Sequence, residues 1–247
     1  MQKQLTGGIS LITLHLLAMA FMLCDSLCLT FAQDSSLLQF AGRLAYPVFA
    51  FMVVEGYFYT TDLKDYAKRL LILAVVSEIP FNLLYSSTVI YPFQQNAVWA
   101  LLLGLLLVHL NETVRKNSER WFFAVTMLMS FVIAVAAGQA LICDYCGTGV
   151  VMVLGFYLFR GRKLWCLAGQ MLALYYANVM LTGGQQSTFS VFGMPLTADI
   201  QIFTLLALVP IWFYKGKKDS GRYNIGNICC GFYPLHMFVL AMMFING

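Results

Sequence analysis

Two apolar stretches between residues 42 and 85 carry charged side chains at positions where a hydrocarbon environment normally excludes them: Arg43, Glu55 and Glu78. An ionisable side chain inside a bilayer is costly, so it marks either a paired charge or a functional site. Pro47 and Pro80 follow two of these charges within about one helical turn, and proline lacks a backbone donor. We therefore expect both helices to be kinked or locally open beside the charges, which would form a polar pocket.

The composition places the chain among membrane proteins. Of 247 residues, 60% are hydrophobic and 11% are charged, whereas soluble domains carry about 25% charged residues, and the mean hydropathy is +0.76. We predict a single domain over residues 1–247, embedded in the lipid bilayer of the cell membrane, because no polar segment is long enough to form a separate soluble domain. The net charge of +4 does not indicate nucleic-acid binding, since basic residues of membrane proteins gather at cytoplasmic helix ends.

Apolar runs of about 20 residues predict membrane-spanning helices. Nine runs qualify: 8–31, 37–60, 66–85, 97–113, 121–142, 147–161, 164–182, 200–214 and 226–245. Several are short, which leaves eight spans as an alternative. We expect the first run to be a retained span rather than a signal peptide, because it is long and contains His15 and Asp25. The predicted fold is an all-α polytopic membrane protein, a single bundle of about nine transmembrane helices.

The distribution of basic residues predicts the orientation of this bundle. With a cytoplasmic N-terminus, all of the 15 Lys and Arg residues except Arg43 fall on the cytoplasmic side. The four predicted outer loops contain no Lys or Arg: 32–36, 86–96, 143–146 and 183–199. Because positive charge favours the cytoplasmic side, the sequence predicts the N-terminus inside and the C-terminus outside, with nine spans preferred over eight.

Three polar residues of the first span are candidates for catalysis: His15, Asp25 and Ser26. His15 and Ser26 are 11 residues apart, which returns them to nearly the same helix face at about 100° per residue. The structural alternative is that His15 bonds a neighbouring helix and that Asp25 lies hydrated near the outer interface. In the last span, Pro234 and His236 fall near mid-membrane, and an imidazole there is suited to proton transfer.

The predicted topology places Arg43 and Glu78 at similar depth in the outer half of the membrane. Arg43 is expected to pair with Asp25 or Glu78, and a purely structural ion pair is the alternative. We predict that Arg43 and Glu78 are energetically coupled, because they lie on consecutive spans and each is beside a proline. Glu55 reaches the inner end of its span and lies either in the pocket or at the cytoplasmic interface. All three are candidates for substrate binding: Arg43, Glu55 and Glu78.

Polar residues at the outer helix ends are further candidates for substrate binding: Asn96, Asp144 and Tyr145. Each is alternatively a helix cap or an interfacial residue. Cys143 and Cys146 have a C-x-x-C spacing that allows a disulfide or two free thiols, but no second pair completes a metal site. No phosphate loop, dinucleotide fingerprint or nucleophile elbow occurs, so any chemistry must come from intramembrane polar residues.

The order of several motifs resembles the TraX family of membrane proteins, named for the acetylase of conjugative pilin subunits, within the wider group of transmembrane acyltransferases. The motifs are GRLAYPVFAFMVVEGYFYT (42–60), YAKRLLILAVVSEIPFNLLY (66–85), NAVWALLLGLLLVHL (96–110), DYCGTGVVMVLGFYLFRGRK (144–163) and YPLHMFVLAMM (233–243). They span most of the chain in the family's order, and the G-R-x-x-x-P and S-E-x-P elements are specific.

The resemblance implies a membrane acyltransferase that takes its acyl group from acetyl-CoA in the cytoplasm. The acceptor would be an amine or hydroxyl reached from the membrane or the outer side. Family members generally carry a Lys in the first span and then an Asp-His pair, of which the His is the presumed catalytic residue. The corresponding residues here are His15, Asp25 and Ser26, and His236 is the nearest substitute for the missing imidazole. The alternatives are a non-catalytic binding module of this family and a proton-coupled transporter.

Overall fold

The computed structural model of the chain describes residues 8–32, 35–140, 146–183, 186–191, 194–214, 216 and 225–246. These residues form the helices α1 (Leu11–Thr30), α2 (Ser36–Arg43), α3 (Ala45–Tyr59), α4 (Leu63–Ser86), α5 (Val98–Asn117), α6 (Arg120–Ala140), α7 (Cys146–Leu158), α8 (Leu164–Tyr175), α9 (Leu208–Phe213) and α10 (Ile225–Asn246). A π-helical turn, Tyr176–Leu181, extends α8, and a 3-10 segment, Ile200–Ala207, leads into α9.

Every predicted span coincides with helical structure, and the second span is made of two helices. The chain leaves helical hydrogen bonding at Leu44, between α2 and α3, directly after Arg43. Pro47 then lies in the first turn of α3, where its missing donor would have no partner anyway. The expected interruption beside Arg43 is therefore present. By contrast, α4 continues as a helix on both sides of Pro80.

Membrane-spanning length is reached by five of the described helical segments, which are also apolar enough to cross a bilayer: Leu11–Thr30, Ser36–Tyr59, Val98–Asn117, Arg120–Ala137 and Leu164–Leu181. Three further apolar segments are shorter: Gly147–Leu158, Ile200–Phe213 and Ile228–Phe244. The class of a helical, multi-pass membrane protein is confirmed. The count of nine spans and the orientation remain predictions.

The main hydrophobic core lies between α3, α5 and α7. Buried valines and leucines of the three helices interdigitate there, including Val48, Leu105 and Val153. Small residues allow the close approach of these helices, because a Cβ on Gly104 of α5 would lie 2.8 Å from the Val153 Cβ of α7. This rigid centre forms one wall of the site described below.

A second, smaller core joins α4 to α10 and borders α1. It consists of Phe81, Leu84, Met237, Leu240 and Ala241, with Leu23 and Leu27 of α1 packed against it. These contacts hold the first and last helices side by side. They place His236 of α10 next to the C-terminal half of α1, which contains Ser26.

A short β-hairpin was not predicted, and it lies within the predicted outer loop 183–199. Strand β1 (Gln186–Val191) pairs antiparallel with β2 (Met194–Asp199), with Gln186 opposite Asp199. Its sequence alternates polar and apolar residues over too few positions to stand out from a loop. The expectation of an all-α fold therefore holds for the apolar segments, and the hairpin is the exception among the described residues.

Candidate functional site

A cavity of about 820 Å³ runs between α1, α2, α3, α4, α10 and the start of α5. Its wall follows the second predicted span from Arg43 to Thr60, a helical distance of about 25 Å. That length approaches the roughly 30 Å thickness of the hydrocarbon core. The polar or charged lining residues include His15, Asp25, Ser26, Gln39, Arg43, Glu55, Tyr66 and Arg69. Five of the residues predicted from the sequence thus border one cavity: His15, Asp25, Ser26, Arg43 and Glu55.

Ser26, in the lining of this cavity, forms a buried hydrogen bond with His236, which is not itself among the lining residues. The Ser26 Oγ lies 3.1 Å from the His236 Nε2, although the two residues are 210 positions apart in the chain. Ser26 is 4% exposed and His236 is 7% exposed. The imidazole also stacks on the Phe232 ring, with centroids 4.9 Å apart and planes 8° from parallel. The pair is therefore held in one arrangement by its surroundings.

The second ring nitrogen of His236 determines the direction of this hydrogen bond. The Nδ1 atom lies 2.9 Å from the Phe232 carbonyl oxygen, which can only accept, so Nδ1 carries the proton in the neutral imidazole. Nε2 is then an acceptor, and the Ser26 hydroxyl donates to it. The hydroxyl has one alternative acceptor, the Met22 carbonyl at 3.2 Å. A hydroxyl that donates to an imidazole nitrogen is the arrangement in which a serine can lose its proton during attack on a carbonyl.

Asp25 lies on the cavity wall against α2, next to Arg43. A Cβ added to Gly42 would meet the Asp25 side chain, at 2.5 Å from Oδ1 and 2.6 Å from Cβ, so only glycine allows this contact between α1 and α2. Arg43 is the cation that acts on the Asp25 carboxyl group. The structure thus supports the first of the two pairings considered for Arg43. The His236 imidazole is held by the Phe232 carbonyl, and the catalytic role of Asp25 stays a prediction.

Glu78 is hydrogen-bonded to the start of α5. Its Oε2 accepts hydrogen bonds from the Asn96 Nδ2 and, at 3.1 Å, from the Trp99 Nε1. Asn96 also donates to the Ala74 carbonyl and accepts from the Val98 backbone at the start of α5. Both residues therefore join α4 to α5, and neither is in the lining of the large cavity. The coupling of Arg43 with Glu78 stays a prediction.

Glu55 lies on the cavity wall near the C-terminal end of α3 and forms an ion pair that the sequence did not indicate. Its Oε1 is 2.7 Å from the Nε of Arg160, which lies two residues after the end of α7. The Arg160 guanidinium lies over the Phe58 ring at 4.0 Å. This contact ties α3 to the end of α7. Glu55 is therefore both a wall residue and half of a helix-joining pair.

Three predicted residues remain: His15, Asp144 and Tyr145. His15 borders the same cavity as Ser26, as the shared helix face predicted, and its Nδ1 bonds the Leu11 carbonyl of its own helix at 2.9 Å. Asp144 and Tyr145 lie outside the described residues, as do the features that would decide the state of Cys143 and Cys146.

Two groups of side chains were missed from the sequence. On the cavity wall, Arg69 of α4 lies beside the Tyr66 ring, 6.0 Å from its centroid, and acts electrostatically on Cys230 of α10. Tyr66 and Arg69 belong to the basic segment after α3, which has the sequence pattern of an ordinary cytoplasmic loop. Only their place on the cavity wall distinguishes them from solvated charges.

The second missed group, the Glu112 cluster, consists of Glu112, Arg115, Lys116 and Tyr157. Glu112 is 3% exposed and accepts two hydrogen bonds from Arg115, both at 2.8 Å, and one from the Tyr157 hydroxyl at 3.0 Å. Lys116 lies 3.5 Å away. The cluster borders a separate cavity of about 330 Å³. In the sequence, the segment NETVRK has the pattern of a solvated helix end, which conceals the burial of Glu112.

The chemical capacity of the large cavity rests on the Ser26 hydroxyl in its lining, the His236 imidazole bonded to that hydroxyl, and the charged wall. No group of three or more His, Cys, Asp or Glu side chains suitable for a metal ion occurs among the residues that the structure describes. What the site offers is a nucleophilic oxygen with a base attached, and a guanidinium and a carboxyl group on the adjoining wall. These are the elements of acyl transfer.

Comparisons with known proteins agree with the motifs. The family model described as TraX protein matches residues 10–244. The chain is 28% identical over 254 aligned positions to a protein of Dichelobacter nodosus named "Probable fimbrial assembly protein FimC, serogroup H1", covering 94% of this chain and 96% of that protein. No solved structure matches the chain. Because the family model covers nearly the whole sequence, including every helix that contributes to the cavity, the chain belongs to the TraX family.

Proposed function

We propose that this protein is an integral membrane acyltransferase that transfers an acetyl group from acetyl-CoA to an amine or hydroxyl of an exported peptide, glycan or small molecule. The observation that carries the proposal is the Ser26–His236 hydrogen bond, 3.1 Å long, at the wall of the long cavity. The hydrogen bond between the hydroxyl and the imidazole does not by itself require a cavity of this size beside it. Such a cavity is required if a substrate carbonyl must reach the hydroxyl.

His236 acts in this proposal as the general base. Its Nδ1 proton is held by the Phe232 carbonyl, so Nε2 is free to take a proton when the hydroxyl or an acceptor attacks. Arg43 lies on the wall beside Asp25 and supplies positive charge where negative charge develops on the carbonyl oxygen. Asp25 and Gly42 position Arg43 through the close contact of α1 with α2.

The inner end of the cavity fits the phosphates of the acyl donor. Arg69 and Tyr66 line that end, and Lys64 and Lys68 neighbour them in the same basic segment. Guanidinium groups bind phosphate through two parallel hydrogen bonds, and neighbouring lysines add positive charge. The donor would enter from the cytoplasm, with its thioester directed along the cavity towards Ser26.

This route requires the predicted orientation, with nine spans, the N-terminus inside and the C-terminus outside. Ser26 then lies in the outer half of the membrane and Arg69 at the inner surface. A C-terminal reporter that is active only in the cytoplasm should be silent, while the same reporter after Asn117 of α5 should be active. Strong activity of the C-terminal fusion would contradict the nine-span arrangement.

The relative from Dichelobacter nodosus favours an exported peptide as the acceptor. That protein is named for fimbrial assembly, and fimbriae are built from exported subunits. A subunit that passes through or along the membrane would present a side-chain or terminal amine, or a hydroxyl, to the outer end of the cavity. The proposal therefore places the donor and the acceptor at opposite ends of the same space.

The test is acetyl transfer by the purified protein in proteoliposomes, with radiolabelled acetyl-CoA and a panel of acceptor peptides and amino sugars. We expect transfer by the wild-type protein and a loss of about 100- to 10,000-fold in His236→Gln, the usual contribution of a general base. Equilibrium binding of acetyl-CoA is measured in parallel. Absence of both binding and transfer in folded wild-type protein would overturn the proposal.

The cavity's length also favours a second candidate, a proton-coupled transporter without acyl chemistry. Asp25, Arg43 and His236 would then serve as a proton relay rather than a reaction centre. Uptake of a solute into proteoliposomes under a proton gradient, with no consumption of acetyl-CoA, would support this alternative. Consumption of acetyl-CoA that depends on His236 would exclude it.

A further inference from the structure

The Ser26 hydroxyl is the one oxygen nucleophile on the cavity wall for which the described residues supply a hydrogen-bonded imidazole. Its Oγ is 3.1 Å from Nε2 of His236, and the Phe232 carbonyl fixes the ring from the other side at 2.9 Å. The imidazole comes from α10, so the site contains both a base and a hydroxyl.

We propose that Ser26 is a covalent nucleophile that carries the acyl group as an ester between donor and acceptor. This inference rests on the proposed acyltransferase function and adds a double-displacement mechanism to it. A direct transfer would need donor and acceptor to meet at one point of the membrane. A serine ester allows each of them to reach Ser26 in turn from its own end of the cavity.

In the first half-reaction, the Ser26 Oγ attacks the thioester carbonyl carbon and its proton passes to Nε2 of His236. A carbon–oxygen bond forms and the carbon–sulfur bond breaks. The leaving thiolate takes the proton from His236 and departs as a free thiol. Ser26 is then esterified and His236 is neutral again, with its Nδ1–H still donating a hydrogen bond to the Phe232 carbonyl.

In the second half-reaction, the acceptor amine or hydroxyl attacks the ester carbonyl carbon. His236 takes the acceptor's proton, the carbon–oxygen bond to Ser26 breaks, and the Ser26 Oγ receives the proton from His236. The acceptor leaves as an amide or ester. No oxidant, metal ion or further reactant is required, and the protein returns to its starting state.

Three cysteines border the same cavity but lack this arrangement: Cys28, Cys229 and Cys230. The Cys28 thiol of α1 donates to the Ala32 and Ser35 carbonyls instead, at 3.6 and 3.8 Å. Cys229 and Cys230 lie on α10, two turns or so before His236, and both are unbridged thiols. Neither is hydrogen-bonded to an imidazole within the described part of the chain. A thiol ester at either position would also lie towards the inner end of the cavity, away from the acceptor. The geometry therefore favours the serine.

The experiment uses the full-length protein with acetyl-CoA and no acceptor, followed by acid quench and peptide mass spectrometry. We expect an acetyl group on the peptide that contains Ser26, removed by added acceptor or by mild alkali. Ser26→Ala should abolish the label and the transfer, whereas Ser26→Cys should carry a label that neutral hydroxylamine releases, as expected of a thioester. Ser77→Ala is the matched control, because Ser77 is also fully buried but lies on α4 outside the cavity lining.

A fluorophosphonate probe separates this inference from the identity of the donor. The hydroxyl attacks phosphorus and fluoride leaves, so labelling needs a nucleophilic serine but no acetyl-CoA. Labelling of Ser26 that falls about 100- to 10,000-fold in His236→Gln supports the nucleophile. If Ser26 is labelled but no acetyl transfer occurs, the proposed function fails while the nucleophile stands. If transfer persists in Ser26→Ala, or if acetyl or fluorophosphonate never reaches Ser26 in active protein, the covalent role is overturned.

Discussion

The Glu112 cluster and the Ser26–His236 pair are both buried polar groups, but they differ in how completely their bonding capacity is used. In the Glu112 cluster, both carboxylate oxygens accept hydrogen bonds, and one buried acid is surrounded by two cations and a phenol. In the Ser26–His236 pair, a hydroxyl with two acceptors has one proton to share between Met22 and His236.

The difference separates a group that holds helices together from a group that can react. A carboxylate with every oxygen bonded is stabilised in one state, and any reaction would have to break several bonds first. A hydroxyl that can move its proton between two acceptors, next to a cavity, gains a reactive state at little cost. Burial and polarity are common to both regions, so neither property alone identifies a functional site.

The largest expected effect separates the two regions by activity. His236→Gln should lower acetyl transfer about 100- to 10,000-fold, because the general base is lost. Glu112→Gln should leave transfer largely intact, because the Glu112 cluster borders a different cavity. Both are measured as initial rates of label transfer in proteoliposomes. An equal loss in the two variants would show that the distinction between the regions is wrong.

Stability should change in the opposite order. Glu112→Ala should lower the free energy of unfolding by about 2 kcal/mol, because the Tyr157 hydroxyl loses a buried acceptor. Arg115 contributes less to this figure, since it is 55% exposed and water can solvate it. Ser26→Ala should have a smaller effect. Denaturant unfolding in detergent, followed by tryptophan fluorescence, provides the comparison, and a larger loss in Ser26→Ala would reverse it.

The contact between α1 and α2 supports the reactive region through its backbone. Gly42→Ala should destabilise the protein by about 1 to 2 kcal/mol and reduce transfer, because the new methyl group would meet Asp25 at 2.6 Å from its Cβ. Gly231→Ala on α10 is the control, since nothing lies within 4 Å of a Cβ at that position. Unfolding curves and transfer rates are measured for both. Equal behaviour of the two variants would show that α2 moves away from Asp25 without consequence.

The smallest effect concerns the ion pair between Glu55, on the wall of the large cavity, and Arg160, which borders the smaller cavity beside Glu112. Because Arg160 is partly exposed, we expect a coupling energy of about 0.5 to 1 kcal/mol in a double-mutant cycle of Glu55→Gln and Arg160→Gln. Transfer measured with saturating acetyl-CoA should change little. A large loss of transfer in Glu55→Gln alone would show that Glu55 takes part in the reaction and does not only join helices.

The helical segments could be predicted from the sequence because their length and apolar composition are local properties. Arg43, Asp25 and Ser26 could be identified as candidates for the same reason, because each is a polar residue within an apolar run. Pairing could not be predicted, because it depends on how helices cross. Glu78 and Asp25 were equally available to Arg43 in the sequence, and only the packing of α4 on α5 assigns Glu78 to Asn96 and Trp99.

Glu112 illustrates the opposite error. Its segment contains charges spaced as in a solvated helix end, so the sequence gives no sign that α7 covers it with Tyr157. The hydrogen bond between Ser26 and His236 was equally hidden, because periodicity relates residues within one helix and not the first helix to the last. His236 was identified as a candidate by its chemistry alone.

The distance of 210 positions between Ser26 and His236 also has a consequence during biosynthesis. The ribosome completes α1 long before it reaches α10, and every helix between them must be inserted and packed before the imidazole arrives beside the hydroxyl. A nascent or truncated chain would therefore hold an inert serine, even with the proposed donor, acetyl-CoA, present in the cytoplasm. The protein would become able to react only when α10 has packed against α1. Complete folding would therefore prevent premature reaction of Ser26.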